Sequence, residues 1–181
     1  MSSLLVVTGP PGAGKSTVAR VLADRFERSV LVEGDAFFAF LARGAQRPWL
    51  PGSEAQNEVV TRAAAVAAAA FVAGGYTTVY DGVVGPWLLP TFAAATGLDS
   101  VDYAVLLPAE DCCVERVATR RGHGFDDEAA TRKMHREFAS AAVERRHVFV
   151  DPPDRPEATA ELVLTARAAG SLAYRAEGGL G

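Results

Sequence analysis

Short apolar runs alternate along the chain with longer segments in which apolar residues recur every three or four positions. The short runs predict buried strands, and the longer segments predict helices that connect one strand to the next. The predicted strands are residues 4–8, 30–32, 77–80, 103–107 and 148–150. The predicted helices are residues 15–27, 36–42, 53–73, 87–96, 108–121, 127–146 and 157–169. This alternation is typical of an α/β fold with a parallel sheet.

No internal repeat and no long linker divides the 181 residues, so we expect one domain spanning residues 1–181. The 49% of hydrophobic residues can form a core without disulfides. Cys112 and Cys113 are adjacent, which disfavours a disulfide and indicates core residues in a reducing cytoplasm. The start of the chain does not resemble a signal peptide, and the longest apolar run, 63–73, is too short for a bilayer. We therefore expect a cytoplasmic protein without membrane association.

The net charge of the chain indicates which classes of partner it would not attract. The formal net charge of −4 argues against a general attraction to nucleic acid or to anionic membranes. Only Lys15 and Lys133 among the 18 basic residues are lysines, so a lysine at a motif position is conspicuous.

Residues 9–16 match the pattern G-x-x-x-x-G-K-[ST] between a predicted strand and a predicted helix. In this context the backbone N–H groups of the loop hold phosphates, aided by the positive end of the helix. We expect Lys15 to neutralise the β- and γ-phosphates, Ser16 to bind Mg²⁺ and Thr17 to contact a phosphate oxygen. The predicted nucleotide-binding residues of the loop are Gly9, Gly12, Ala13, Gly14, Lys15, Ser16 and Thr17. The alternative, a turn that only starts a helix, does not account for the complete pattern.

Acidic residues follow three of the predicted strands, at the edge where ligands bind in parallel sheets. We expect Asp35 to be the catalytic base that accepts the proton of an acceptor hydroxyl; the alternative is an N-cap of the next helix. Asp81 is expected to be a Mg²⁺ ligand or an acceptor contact, unless it only forms an Asp-Gly turn. Asp151 is expected to shape a loop beside the nucleotide base, whereas Asp102 precedes its strand and points to the opposite edge.

Arginines flank a glycine-rich tip at residues 121–125, and we interpret residues 116–136 as a helical lid. Arg116 and Arg120 are one helical turn apart and share a face, while Arg132 lies on the following helix. Arginines on a mobile hairpin can clamp phosphates and exclude water on closure. The alternative is a solvated charged hairpin.

The order of these motifs resembles the small-molecule kinases of the P-loop superfamily, a group that includes chloramphenicol phosphotransferase and gluconate kinase, over residues 3–169. The resemblance implies a three-layer αβα sandwich with a five-stranded parallel sheet in the order 2-3-1-4-5. It also implies ATP or GTP with Mg²⁺, an aspartate base at Asp35, and lid arginines that touch phosphates or the base at Arg116, Arg120 and Arg132.

Two differences from related kinases reduce the range of molecules that could serve as the acceptor. Adenylate kinases carry phosphate-binding arginines soon after the Gly-Asp and Asp-Gly pairs, but here Gly34-Asp35 and Asp81-Gly82 are followed by apolar residues. The glycine triplet that shikimate kinases carry after the third strand is also absent. A nucleoside monophosphate or shikimate acceptor is therefore disfavoured.

The expected acceptor region comprises residues 36–62 and 82–92. The predicted substrate-binding residues are Asp35, Phe38, Arg43, Trp49, Arg62, Asp81 and Gly82. A wall of aromatic residues and arginines favours a ringed, polar, anionic acceptor, such as an antibiotic or a nucleoside-like metabolite, with resistance by phosphorylation as the purpose.

We therefore expect a phosphotransferase that acts on a hydroxyl of a small molecule. The alternatives are a nucleoside, nucleotide or polynucleotide kinase, and a nucleotide-dependent switch. The Asn/Thr-Lys-x-Asp box with which GTPase switches read guanine is absent. The choice between ATP and GTP, and between monomer and homodimer, stays open.

Overall fold

In the computed structural model, which describes residues 3–119 and 125–175, the chain forms a sheet with helices on both faces. The strands are β1 (Leu4–Thr8), β2 (Ser29–Glu33), β3 (Thr77–Asp81), β4 (Val101–Leu107), β5 (Val148–Val150) and β6 (Ala173–Tyr174). The α-helices are α1 (Lys15–Ala23), α2 (Glu54–Ala73), α3 (Leu89–Thr96), α4 (Glu110–Thr119), α5 (Glu128–Ser140) and α6 (Pro156–Ala168). Two 3₁₀ helices cover Gly34–Phe40 and Arg145–His147.

The strand order β2-β3-β1-β4-β5 confirms the predicted sheet, and these neighbours are all parallel. The two residues of β6 pair antiparallel with β4, an addition that no periodicity could reveal in so short a strand. In the register of the sheet, Asp81 pairs with both Val7 and Glu33. The carboxyl ends of β1, β2 and β3 are therefore level, and the segments that follow them start from one edge.

The core lies on both faces of the sheet, which explains why the strands are apolar without alternation. On β1, Leu4 and Val6 pack on the face covered by α2 and α3. Leu5 and Val7 pack on the opposite face, which α1 and α6 cover. Each face therefore buries every second residue of the same strand.

None of the helices in residues 3–119 and 125–175 has the length and apolar character needed to span a membrane.

Two helices end earlier than their sequence patterns predict. Helix α1 ends at Ala23 rather than at residue 27, and α5 ends at Ser140 rather than at residue 146. After α5 the chain must reach β5, and His147 is buried there with Nδ1 3.0 Å from the Tyr103 carbonyl oxygen. This contact with β4 is made from the separate 3₁₀ helix Arg145–His147 rather than from a continuation of α5. The predicted cap of α5 is present, since Asp127 accepts a hydrogen bond of 2.9 Å from the Ala130 N–H.

Asp102 lies within β4 rather than before it. Its carboxylate accepts a hydrogen bond of 2.9 Å from Arg167 on α6, at the start of the strand. The residue thus joins a helix to the sheet, far along the strand from the edge at which Asp81 lies.

Both cysteines are free thiols, and burial raises the pKa of Cys113 to about 11, so its thiol is neutral near pH 7.

Candidate active site

The loop between β1 and α1 curls around a space in front of the helix. Gly9 and Gly12 have φ angles of 147° and 78°, which glycine adopts more readily than other residues. A Cβ at Gly9 would overlap the carbonyl oxygen of Leu106, and one at Gly12 would overlap that of Cys113. The loop therefore lies directly on β4 and α4, and its conformation depends on both glycines.

Lys15, Ser16 and Asp81 come together at the start of α1. The Lys15 ammonium donates a hydrogen bond of 3.0 Å to the Pro10 carbonyl oxygen. Burial raises the pKa of Asp81, while a hydrogen bond from Ser16 and the positive charge of Lys15 act in the opposite direction. A hydroxyl and a carboxylate oxygen are ligands that Mg²⁺ prefers. The neighbouring side chains of Ser16 and Asp81 thus fit the predicted metal site.

Asp35 lies in the first turn of the 3₁₀ helix Gly34–Phe40 and is exposed. Glu33 occupies the N-cap position, and no side chain caps this helix. Asp35 therefore does not serve as the N-cap of this helix. The carboxylate is close enough to Asp81 to raise the pKa of that residue. The two acids face the same space.

A cavity of about 920 Å³ contains these groups. Lys15, Ser16, Asp35 and Asp81 line one part of it. The remaining walls come from the segment before α2, from α2 itself, from the chain after β3 and from α5. This volume lies within the range of pockets that hold drug-sized ligands.

The structure separates the predicted acceptor residues into two groups. Phe38 and Trp49 line the cavity. Arg43 and Arg62 do not; both are exposed, and Arg62 forms an ion pair of 3.6 Å with Glu58 on α2. Gly82 packs against the Tyr80 ring rather than lining the cavity. Within the described residues, the cavity is thus lined by the aromatic residues Phe38 and Trp49 and not by Arg43 or Arg62.

Sequence reasoning missed several residues that line the cavity. They are Glu54, Asn57, Thr61, Tyr80, Phe125, Lys133, Met134 and Glu137. Burial raises the pKa of Tyr80, and the nearby charges of Asp35 and Asp81 raise it further, so its hydroxyl stays neutral. Lys133 and Glu137 are one helical turn apart, and this spacing in the sequence could have indicated that they lie on the same face of the helix.

A second cavity of about 380 Å³ lies on the other side of the phosphate loop. It is lined by residues 12–18 together with Arg116, Pro152, Pro153 and Asp154. Arg116 donates hydrogen bonds of 3.4 Å to the Gly12 carbonyl oxygen and 3.0 Å to Asp154. Arg116 therefore lies between the loop and the chain after β5, where the nucleoside of a bound triphosphate can extend.

Because Arg116 contacts the loop and lines this cavity, Arg116→Ala is expected to weaken nucleotide binding about tenfold, the loss typical of one charge-assisted hydrogen bond. The acceptor KM should change little. Titration with a fluorescent nucleotide measures the first effect. Arg155→Ala is a matched control, since Arg155 is exposed, pairs only loosely with Glu157 at 3.9 Å and does not line the cavity. Equal losses in both variants would argue against a specific role for Arg116.

The remaining lid arginines have different positions. Arg120 lies outside the described residues. Arg132 forms ion pairs of 2.8 Å with Glu110, 2.9 Å with Asp111 and 3.0 Å with Glu128, and it lines neither cavity. The pairs with Glu110 and Asp111 join α5 to α4, and the pair with Glu128 lies within α5. A phosphate contact by Arg132 stays a prediction, and it requires a closed lid in which these pairs are exchanged.

Solved structures share this fold. A sugar kinase from a Janibacter species superimposes with a TM-score of 0.72 at 22% identity, covering 93% of this chain and 95% of that one. The tunicamycin resistance protein of Deinococcus radiodurans gives a TM-score of 0.68 at 17% identity, with 91% and 95% covered. A gluconokinase from Sinorhizobium meliloti gives 0.64 at 17% identity, with 94% and 93% covered. The fold is thus that of P-loop small-molecule kinases.

No curated protein matches the sequence at a significant level. A family profile does match, over residues 4–144, which include the phosphate loop, both acids and the helices α1 to α5. Since this match covers well over half of the chain and includes the loop described above, the protein belongs to the AAA domain family of P-loop proteins.

Proposed function

We propose that the protein transfers the γ-phosphoryl group of ATP or GTP, bound with Mg²⁺, to a hydroxyl of a small molecule. The observation that supports this most strongly is the convergence in one cavity of phosphate-loop groups, Lys15 and Ser16, with two acids, Asp35 and Asp81. A protein that only binds or hydrolyses nucleotide has no need of a large acceptor space beside its γ-phosphate. Two proteins that share the fold, a sugar kinase and a gluconokinase, agree with this proposal.

In the transfer step, a bond forms between the acceptor oxygen and the γ-phosphorus while the bond to the β–γ bridging oxygen breaks. Asp35 accepts the proton that the acceptor hydroxyl loses. Lys15 and the N–H groups of the loop offset the charge on the phosphate oxygens. Ser16 and Asp81 would hold Mg²⁺, which when bound would supply further positive charge to offset that of the phosphate oxygens.

The surrounding segments take supporting roles in this proposal. Residues 36–62 bind the acceptor, and residues 116–136 act as the lid, with Arg120 and Arg132 contacting phosphates when it closes. The net charge of −4 favours a small acceptor over a polynucleotide. Resistance to an antibiotic is a candidate purpose, because one structural neighbour is a tunicamycin resistance protein.

A direct test measures nucleotide consumption with and without a library of hydroxylated metabolites and antibiotics, with mass spectrometry of the products. We expect consumption that depends on an acceptor, and a product heavier by one phosphoryl group. Slow hydrolysis that no acceptor accelerates, with nucleotide-dependent conformational change, would instead support the switch.

Both tryptophans of the chain line the cavity, so their fluorescence should report acceptor binding. We expect a larger change on adding acceptor to the nucleotide complex than on adding nucleotide alone. Trp49→Phe and Trp87→Phe separate the two signals. A change that nucleotide produces in full, and that a turned-over acceptor leaves unaltered, would move the acceptor pocket elsewhere.

A further inference from the structure

The described residues that line the 920 Å³ cavity include more acidic than basic side chains. The charged residues that line the cavity are Lys15, Asp35, Glu54, Asp81, Lys133 and Glu137. The transfer step uses Lys15, Asp35 and Asp81. Of the others, Lys133 and Glu137 form an ion pair of 3.6 Å on α5. Glu54, in the first turn of α2, is exposed, and it forms no ion pair within residues 3–119 and 125–175.

Aromatic rings contribute to the walls of the same cavity. Phe38, Trp49, Trp87 and Phe125 all line the cavity. Trp49 packs edge-on against Phe125 with centroids 4.7 Å apart, and Trp87 packs on Phe138 at 5.3 Å. Both indoles are thus fixed by neighbouring rings, while 47% of Trp87 stays exposed. Aromatic faces together with a carboxylate attract an organic cation, whose apolar part also gains contact area.

The same cavity offers little to an anion. Of its described lining residues, only Lys15 and Lys133 are cationic, and four are carboxylates. Arg43 and Arg62 lie outside it, and Arg47, although 6.0 Å from the Trp49 ring, does not line it. A carboxylate or phosphate on the acceptor would lack the paired guanidinium groups that bind such anions.

We propose that the acceptor is a hydroxylated amine with an aromatic or other apolar ring, whose protonated nitrogen is held by Glu54 among the aromatic walls, and that acceptors bearing a carboxylate or phosphate are rejected. This inference rests on the proposed function, since it names the substrate class of the same cavity. It replaces the anionic acceptor expected from the sequence.

Three matched compounds test the inference: phenylglycinol, styrene glycol and mandelate. Each carries a phenyl ring and a hydroxyl, and near pH 7 they are cationic, neutral and anionic. Binding to the protein with Mg²⁺ and a non-hydrolysable ATP analogue is measured by calorimetry. We expect phenylglycinol to bind about tenfold more tightly than mandelate, with styrene glycol between them, from the combined ion-pair and cation–π contributions.

Glu54→Gln is expected to reduce the preference for phenylglycinol over styrene glycol to about one, because it removes the charge and keeps the shape. Glu58→Gln is the matched control: Glu58 is one turn further along α2 and pairs with Arg62 outside the cavity. It should keep the wild-type preference. Thermal melting confirms that both variants fold.

Three results would overturn the inference: mandelate binding as tightly as phenylglycinol, an unchanged preference in Glu54→Gln, or no binding of phenylglycinol up to its solubility limit. The proposed function fails differently. If phenylglycinol binds in the expected order but no hydroxylated amine is ever phosphorylated, the charge recognition stands and the transferase proposal does not. Efficient phosphorylation of an anionic acceptor would leave the transferase proposal intact and refute the inference.

Discussion

Lys15→Ala is expected to abolish phosphoryl transfer and to weaken binding of the nucleoside triphosphate. Lys15 lines both cavities and donates to the Pro10 carbonyl oxygen, so its ammonium lies at the centre of the phosphate loop. The other lysine, Lys133, lies on α5 and pairs with Glu137. Loss of a positioned charge opposite the transferred group costs about 10²–10³-fold in turnover or more. We therefore expect turnover near the limit of detection.

The measurement is steady-state turnover with saturating acceptor, combined with titration of a fluorescent nucleotide. Arg20→Ala is the matched control on the same helix, because Arg20 is exposed, pairs with Glu33 at 3.3 Å and lines neither cavity. It should retain wild-type nucleotide affinity. Turnover by Lys15→Ala comparable to that of the wild type would refute the phosphate-loop assignment.

The second large effect is expected for Asp35→Asn. Removal of a general base typically lowers the rate by about 10²–10⁴-fold. The substitution should leave the fold intact, because Asp35 is exposed and makes no capping hydrogen bond in its 3₁₀ helix. Nucleotide binding should also persist, since the residue lies outside the phosphate loop. A thermal melt and a nucleotide titration check both points.

Asp81→Asn separates the two acids. Asp81 is buried beside Ser16, so its loss should weaken metal binding, and raising Mg²⁺ should recover part of the activity. No such recovery is expected for Asp35→Asn. The comparison is transfer rate against Mg²⁺ concentration for both variants. An Asp35→Asn enzyme within tenfold of wild type, or one rescued by Mg²⁺, would leave Asp81 as the leading candidate for the base.

The sequence by itself determined the parallel sheet and the chemistry at its edge. The run Leu4–Thr8 is apolar because both faces of this strand are covered, and this signal is local. The phosphate loop is likewise specified by adjacent residues. Asp35 and Asp81 could be placed at one edge because parallel strands bring their carboxyl ends together.

The boundaries of helices were less accessible to sequence reasoning. Helix α5 stops at Ser140 although its polar pattern continues. Shortly after this end, His147 is buried against β4, a contact between residues 44 positions apart. Local propensity contains no information about such a contact, so the prediction ran past the true end.

Only the tertiary structure decided which side chains line the cavity. Helix α2 is rich in alanine, and several of its exposed positions are as apolar as its buried ones, so its sequence does not define the inward face. Packing on the sheet turned Val60 and Thr61 towards the cavity and Arg62 towards solvent. Packing of α5 against α4 brought Lys133 and Glu137 to the opposite wall. The rotation of a helix about its axis depends on the elements that pack against it, and this rotation determined which charged side chains line the cavity.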